Sequence, residues 1–336
     1  MITPEKLKEV QRKMQGEGLD YLLAFDPPSI AYISGIPLPS LDVPISGLAI
    51  IPAEGTIELR LYQGRWNEVY IDERTTELAP SNWKVSLEGE IGVESLAPAY
   101  LLEHEYYKKL EMKPVKILAE SMRRKSEEEV KLMREAGRYV DGIMRLALDN
   151  LHLPEWNLAH FIIKECEWKG MVHWPPPIVA YDESSARRVC GKVNLHPKPQ
   201  FGVSYGGHVL LDIFPNYKGS YVDASLTRSR VLELKETISK VKGTLEKLVD
   251  IATPGTPVKD FQELAESELG RKVGHSVIHG VGVLPHEPLG EVLEKGNVVA
   301  IEPGIYGRYG VRLETTVAVK DEPEVLIQAP LELRLI

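Results

Sequence analysis

SEEEVKLMREAGRYVDGIMRLAL, residues 126–148, decides how the rest of the chain is read. Ser126 followed by Glu129 is a capping box, in which hydroxyl and carboxylate each take a backbone N–H that a helix start leaves unpaired. Val130, Met133, Ala136, Gly137, Val140, Ile143 and Met144 then recur at helical spacing, which predicts a long helix with one face on a core. A second helix is predicted in LPEWNLAHFIIKECEWKG (153–170), opened by Pro154, with strand-like segments from about 176 to 231. The order then recurs: a helix over about 236–252, VKDFQELAESELG (258–270) behind Pro257, and strands from about 273 to 329. Helix, helix, strands, twice over, predicts an internal duplication whose helices cover one face of a largely antiparallel sheet, an α+β arrangement.

Upstream of Ser126 the pattern differs. Thr3-Pro4 reads as an N-cap and first helical residue ahead of Leu7, Val10 and Met14, with Gly16 and Gly18 ending the helix. DYLLAF (20–25), SGLAIIP (46–52) and TIELRLY (56–62) read as strands, the last two around the turn Ala53-Glu54-Gly55. Mixed elements continue to VKILAE (115–120). A chain of 336 residues exceeds what one core usually holds, and the predicted division is a smaller α/β domain over 1–122 and a second domain over 123–336.

Composition excludes several roles. Hydrophobic content of 43% with 26% charged residues is that of an ordinary globular protein. A net charge of −9 argues against nucleic acid or an anionic membrane as partner, since both need a basic face. The short basic runs Arg123-Arg124-Lys125 and Arg187-Arg188 read as solvated surface. The two cysteines, Cys166 and Cys190, read as buried thiols in a reducing compartment. MITPEKLKEV has no apolar stretch behind a charged start, and no apolar run is long enough to span a membrane, so a cytoplasmic protein is expected.

The chemistry sits in three places. In LLDIFPNYKGSYVDAS (210–225), Asp212 and Asp223 interrupt β-rich stretches. A turn around Tyr217-Lys218-Gly219 would set them opposite one another with Cβ atoms about 5 Å apart. Carboxylates that close repel unless a proton or a cation lies between them. In NVVAIEPGIYGRYGVRLETTVAV (297–319), Glu302 and Glu314 flank a turn near Arg308-Tyr309-Gly310 and face each other in a symmetric hairpin. Between the two hairpins, HGVGVLPHEP (279–288) carries two of the nine histidines, with Gly280 and Gly282 beside the first. Four carboxylates and one imidazole make a site for two divalent cations, with oxygen donors favouring Mn²⁺, Co²⁺, Fe²⁺ or Zn²⁺. His279 is the nitrogen ligand on this reading, and the two glycines let backbone and substrate approach the metals.

Together, Asp212, Asp223, His279-Gly280-Val281-Gly282, His286-Glu287, Glu302-Pro303-Gly304 and Arg312-Leu313-Glu314 resemble metallopeptidase family M24, over roughly residues 126–320. The spacings of 11 between the aspartates and 7 between the histidines resemble its prolidase branch. GLDYLLAFDPPSIAYISGI (18–36) is similar to the creatinase-type N-terminal domain of prolidases. The resemblance implies the pita-bread fold, a homodimer, and two metals on Asp212, Asp223, His279, Glu302 and Glu314, with Asp223 and Glu314 bridging or bidentate. It implies that His286 and His196, the latter in NLHPKP, contact substrate and polarise its carbonyl, and that Arg312 lies near the substrate carboxylate. The implied reaction is hydrolysis before proline in Xaa-Pro dipeptides by a metal-bridging hydroxide, with Glu302 or a bridging carboxylate carrying the proton to the prolyl nitrogen.

Three departures from the family pattern stand out. Asp223-Ala-Ser-Leu-Thr-Arg replaces Asp-x-Thr-Arg, so either Ser225 takes the threonine's place or the segment is two residues longer. Glu287-Pro288-Leu289-Gly290 lacks the arginine that helps hold a C-terminal carboxylate. Thr315 stands where an acidic residue is common, which changes what surrounds the ligands. The alternatives are an aminopeptidase P acting on longer Xaa-Pro peptides, favoured by the missing arginine, and a non-catalytic binding protein on the same fold.

Overall fold

The computed structural model describes residues 2–36, 47–62, 75–78, 85–95, 105–173, 175–189 and 192–333. Cys190 lies outside them; Cys166 is buried as a free thiol. The chain divides into two compact units, Met1–Met122 and Arg123–Ile336. Among the described residues no helix is long and apolar enough to cross a membrane.

The first unit is a mixed sheet with helices. Helix α1 (Pro4–Gly16) starts where Thr3 Oγ1 accepts from Lys6 N at 3.3 Å, and buries Val10 and Met14. Strand β1 (Tyr21–Ala24) runs into α2 (Pro27–Ser34), which Asp26 caps through Ser29 N at 2.8 Å. Strands β2 (Gly47–Pro52), β3 (Glu58–Tyr62), β4 (Thr75–Leu78) and β5 (Ile91–Glu94) follow, then α3 (Glu105–Lys108), β6 (Lys113–Val115) and α4 (Ile117–Arg123). The strand order is β4-β3-β2-β1-β5-β6, with β2 antiparallel to both neighbours and β5 parallel to β1 and β6. Leu23, Phe25, Leu48, Ile50, Val93 and Tyr107 pack into one of its apolar clusters.

The second unit repeats one plan. Helix α5 (Glu127–Asp149) opens on both bonds of the capping box, Ser126 N to Glu129 Oε2 at 2.7 Å and Glu129 N to Ser126 Oγ at 3.3 Å. Its apolar stripe is buried from Val130 to Leu148. Helix α6 (Glu155–Trp168) follows, then β7 (Met171–Val172), β8 (Ile178–Tyr181), the ribbon β9 (Arg188–Val189) with β10 (Lys192–Val193), and β11 (His208–Ile213). The hairpin β12 (Asn216–Tyr217)–β13 (Ser220–Tyr221) leads to β14 (Ala224–Ser229), which completes the sheet β14-β11-β8. Helices α7 (Lys235–Asp250) and α8 (Val258–Leu269) then precede β15 (Ile278–Gly280), β16 (Val298–Ile301), β17 (Gly304–Tyr306), β18 (Gly310–Arg312), β19 (Thr315–Ala318) and β20 (Glu324–Val325). The order β15-β16-β19-β20 is antiparallel throughout, and α9 (Ala329–Glu332) ends the unit. Two helices and an antiparallel sheet thus occur twice, the mixed α+β build expected from the repeated pattern.

One register differs from the sequence reading. Asp212 pairs with Ser225, not with Asp223. The turn closes on two residues, Lys218 and Gly219, both at positive φ (51° and 90°), with Asn216 paired to Tyr221. Tight hairpins favour a two-residue loop of this kind because its twist matches that of the strands. The hairpin centre therefore lies one residue later than assumed, and every partner moves by two. The ladder from His208–Ser229 to Ile213–Ala224 is continuous, so Ser225 takes the threonine's place and no extra residues are accommodated. In the second hairpin, Ile301–Thr315 and Gly304–Arg312 pair on either side of Glu302 and Glu314, which face each other as the symmetric turn predicts.

Candidate metal centre and active site

The two hairpins are stitched together at their carboxylates. Glu314 N donates to Ser225 O at 2.8 Å, and Arg312 N donates to Thr227 Oγ1 at 3.0 Å. Thr316 Oγ1 accepts from Asp223 N at 2.9 Å and donates to Asp223 O at 2.7 Å. Although Asp223 sits a step off the partner predicted for it, these bonds turn it into the same space as Asp212. Ligand atoms of Asp212, Asp223 and Glu314 lie within 4.8 Å of one another, as do those of His279, Glu302 and Glu314, and of Asp223, His279 and His286.

His279, on β15, places Nε2 3.6 Å from both Glu302 Oε1 and Glu314 Oε1. Its Nδ1 lies 3.0 Å from Gly280 O. A carbonyl only accepts, so Nδ1 carries a proton; against the opposing effect of burial, Glu314 and Glu302 favour a second proton on Nε2, and a cation placed between them would take the Nε2 lone pair instead. Asp212 Oδ1, Asp223 Oδ1 and His279 Nε2 are buried without a hydrogen-bond partner among the described residues. Buried polar atoms are almost always satisfied, and three orphans in one cluster of hard oxygen donors and an imidazole fit a divalent cation.

The charges point the same way. Burial, opposed by Arg312 and reinforced by Glu314, pushes Asp212 up to about 7. Burial and then Glu314 push Glu302 up to about 8. Asp223 is raised well above its ordinary range by burial and then by Glu314 and Asp212. Burial would raise Glu314 too, but the nearby His279 and then the Arg312 charge hold it below the usual range. Cation-free, the cluster keeps protons that a bound metal would displace.

His286 and His196 sit at the open edge. The His286 ring stands edge-on to His279, with centroids 4.1 Å apart, and 6.3 Å from His196. Both are held neutral: His286 down to about 4 by desolvation in the cleft and then by His279, His196 lowered by desolvation and then by Arg312.

Arg312 is placed differently from the expectation. Its side chain is 1% exposed and bonds the Asp212 carboxylate through Nη2, Ser225 Oγ through Nε at 3.2 Å, and Leu195 O through Nη1 at 3.2 Å. A guanidinium enclosed this way holds Asp212 and the loop of His196 and has little left for a substrate carboxylate. The glycines beside His279 also serve another purpose than the one assigned above. A Cβ on Gly280 would meet Glu287 O at 2.9 Å, and one on Gly282 would meet Lys125 Cε at 2.5 Å and Glu287 Oε1 at 2.6 Å. They make room for a buried ion pair beneath the loop, between Lys125 Nζ and Glu287 Oε2. Lys125 is therefore not solvated surface, unlike the reading of its basic run.

His275 and Tyr306 escaped the sequence reading. His275 Nδ1 lies 3.8 Å from Glu302 Oε2, and Tyr306 OH lies 3.5 Å from both His275 Nε2 and Arg312 Nη1. The available signal was His275-Ser-Val-Ile-His279, two histidines four positions apart.

Comparison with known proteins accords with this geometry. The sequence pattern of metallopeptidase family M24 matches residues 131–321, more than half of the chain. The chain belongs to that family. An Xaa-Pro dipeptidase of Pyrococcus horikoshii is 25% identical over 355 residues, covering 95% of each chain. The crystal structure of recombinant prolidase from Thermococcus sibiricus superposes with a TM-score of 0.79 at 22% identity, covering 99% of both chains. That of X-Pro aminopeptidase from Thermotoga maritima gives 0.74 at 20% identity, covering 94% of this chain and 96% of the other. These M24 neighbours carry the same fold, pita-bread with an N-terminal domain, and peptidase function follows from family membership.

Proposed function

We propose that this peptidase hydrolyses the bond preceding proline, in Xaa-Pro dipeptides first, with two divalent cations (Mn²⁺, Co²⁺, Fe²⁺ or Zn²⁺) held by Asp212, Asp223, His279, Glu302 and Glu314. The observation that carries it is the convergence of four carboxylates and one imidazole, three of whose buried atoms have no partner among the described residues. Bound cations would supply water deprotonated near neutral pH and Lewis-acid polarisation of the carbonyl. His286 and His196, neutral and open to solvent, donate hydrogen bonds to the carbonyl oxygen as it gains charge. Glu302, or a bridging carboxylate, carries a proton to the leaving nitrogen. That proton lets the prolyl nitrogen leave as a neutral amine rather than as an amide anion. The near full-length similarity to an Xaa-Pro dipeptidase supports the substrate class.

A second reading, aminopeptidase P on longer Xaa-Pro peptides, is favoured by one feature. Arg312 is enclosed and Glu287-Pro288-Leu289-Gly290 has no arginine, so neither offers a clamp for the C-terminal carboxylate of a dipeptide. Metal-stripped protein refilled separately with each of the four cations and assayed on Met-Pro, Met-Pro-Ala and Met-Ala decides between them. Cleavage of Met-Pro alone is the expected result. Preference for Met-Pro-Ala moves the assignment to aminopeptidase P, and failure on every peptide with cations bound overturns the peptidase reading of the site.

A further inference from the structure

The segment entering α5 is fastened to the far hairpin. Arg124 bridges Asn297, Lys125 N donates to Gly296 O at 2.7 Å, and Asn297 Nδ2 donates to Arg123 O at 3.1 Å. From this fixed backbone the Lys125 side chain, 3% exposed, runs beneath the loop 280–287 and pairs with Glu287. The other carboxylate oxygen, Glu287 Oε1, accepts from Val283 N at 2.7 Å and Leu284 N at 3.4 Å. Glu287 N donates to Gly280 O at 2.8 Å and Gly280 N to Glu287 O at 3.1 Å, which closes the loop on itself. One residue before Glu287 stands His286; one before Gly280 stands His279. A buried charge pair is seldom a net gain in stability over apolar residues of the same volume, because both ions must be desolvated. Its geometric consequence here is specific: it fixes a loop whose two ends carry the two imidazoles.

We infer that Lys125 is a positioning residue for the reaction, setting His286 over the carboxylate cluster through its ion pair with Glu287. The inference rests on the role proposed above for His286. None of the five proposed metal ligands bonds to Lys125, and His279 is held separately by the pairing of β15 with β16, so loss of Lys125 displaces His286 and leaves the cation site in place. A catalytic group displaced by about 1 Å costs roughly tenfold to a hundredfold in rate.

The test uses Lys125→Met, which keeps the stem and removes the charge, and Glu287→Gln, which keeps the loop's hydrogen bonds and removes the partner charge. Measured on the whole chain are kcat and KM on Met-Pro, Mn²⁺ affinity by calorimetry, imidazole ¹⁵N resonances of the metal-free protein, and the melting temperature. Expected for both variants are a fall in kcat of about tenfold or more, KM and Mn²⁺ affinity within about twofold, and displaced or broadened His286 resonances. The buried His173 and His208 serve as unmoved controls. Unchanged His286 resonances with only a lower melting temperature would overturn the inference, since that is what a purely structural ion pair produces. If Lys125→Met does not fold, Glu287→Gln alone carries the same two outcomes. The resonance measurement needs no turnover, so a wild-type protein that cleaves nothing refutes the proposed function without obscuring the position of His286.

Discussion

The two hairpins that bring carboxylates to the site are built differently. Across Glu302 and Glu314 one register runs from β16/β19 into β17/β18, and strand pairing alone makes the two glutamates face. Across Asp212 and Asp223 the two-residue turn shifts the register, so Asp212 faces Ser225 and Asp223 lies beyond the end of the ladder. Asp223 is recovered by bonds from the other half, through Thr316. The glutamate hairpin therefore orients itself, whereas the aspartate hairpin is oriented by the glutamate hairpin.

The largest effect should come from the point where both hairpins meet. Glu314→Gln removes one of the two carboxylates, with Asp223, that each belong to two of the three ligand clusters, and kcat/KM on Met-Pro should fall by about three orders of magnitude, with calorimetry showing loss of high-affinity Mn²⁺ binding. Thr316→Val breaks the dependence in one direction. It strips both bonds from the Asp223 backbone and leaves its N–H unpaired, at a cost of about 1–3 kcal/mol in denaturant unfolding. Activity should fall roughly tenfold through Asp223 while the glutamate hairpin keeps its amide exchange protection. Equal loss of protection in both hairpins would remove the asymmetry.

Both hairpins should also respond to pH. Asp212 and Glu302 titrate higher in the folded protein, about 7 and about 8, than in the unfolded chain at about 4. The folded state therefore holds protons more tightly than the unfolded state in that window. Stability of the chelator-treated protein should be greatest at low pH and fall as pH rises through 7 to 8. Saturating Mn²⁺ should reverse that slope, because the cation binds the ionised carboxylates; melting curves from pH 5 to 9 in buffer with and without Mn²⁺ check both signs. The smallest effect lies away from the hairpins. Ser126→Ala removes the cap of α5 and should cost about 1 kcal/mol with kcat unchanged.

The helices and the repeated plan were legible because caps and apolar periodicity are local signals: Ser126 with Glu129, Thr3 with Pro4, and the stripe from Val130 to Met144 all lie where their spacing puts them. The candidate ligands were legible because acidic residues interrupting apolar, β-branched stretches stand out, although only Asp212 of the four carboxylates lies within a strand. The aspartate register was not, because turn centres at Tyr217-Lys218 and at Lys218-Gly219 differ by one residue in sequence and by two in pairing. Arg312 and Lys125 were misread for a common reason. Sequence shows a charge and not its burial, and each is paired with a carboxylate, Asp212 at 100 positions' separation and Glu287 at 162. Gly280 and Gly282 followed from the same blind spot, since the bulk they avoid belongs to distant Lys125 and to the fold of their own loop.

The central claim is that the two hairpins jointly hold a pair of cations. Electron paramagnetic resonance of the Mn²⁺-titrated protein tests it most directly. The account predicts two Mn²⁺ per chain with a spin-coupled spectrum that collapses in Glu314→Gln. A single six-line spectrum of isolated Mn²⁺ at saturation, unchanged by that substitution, would contradict it.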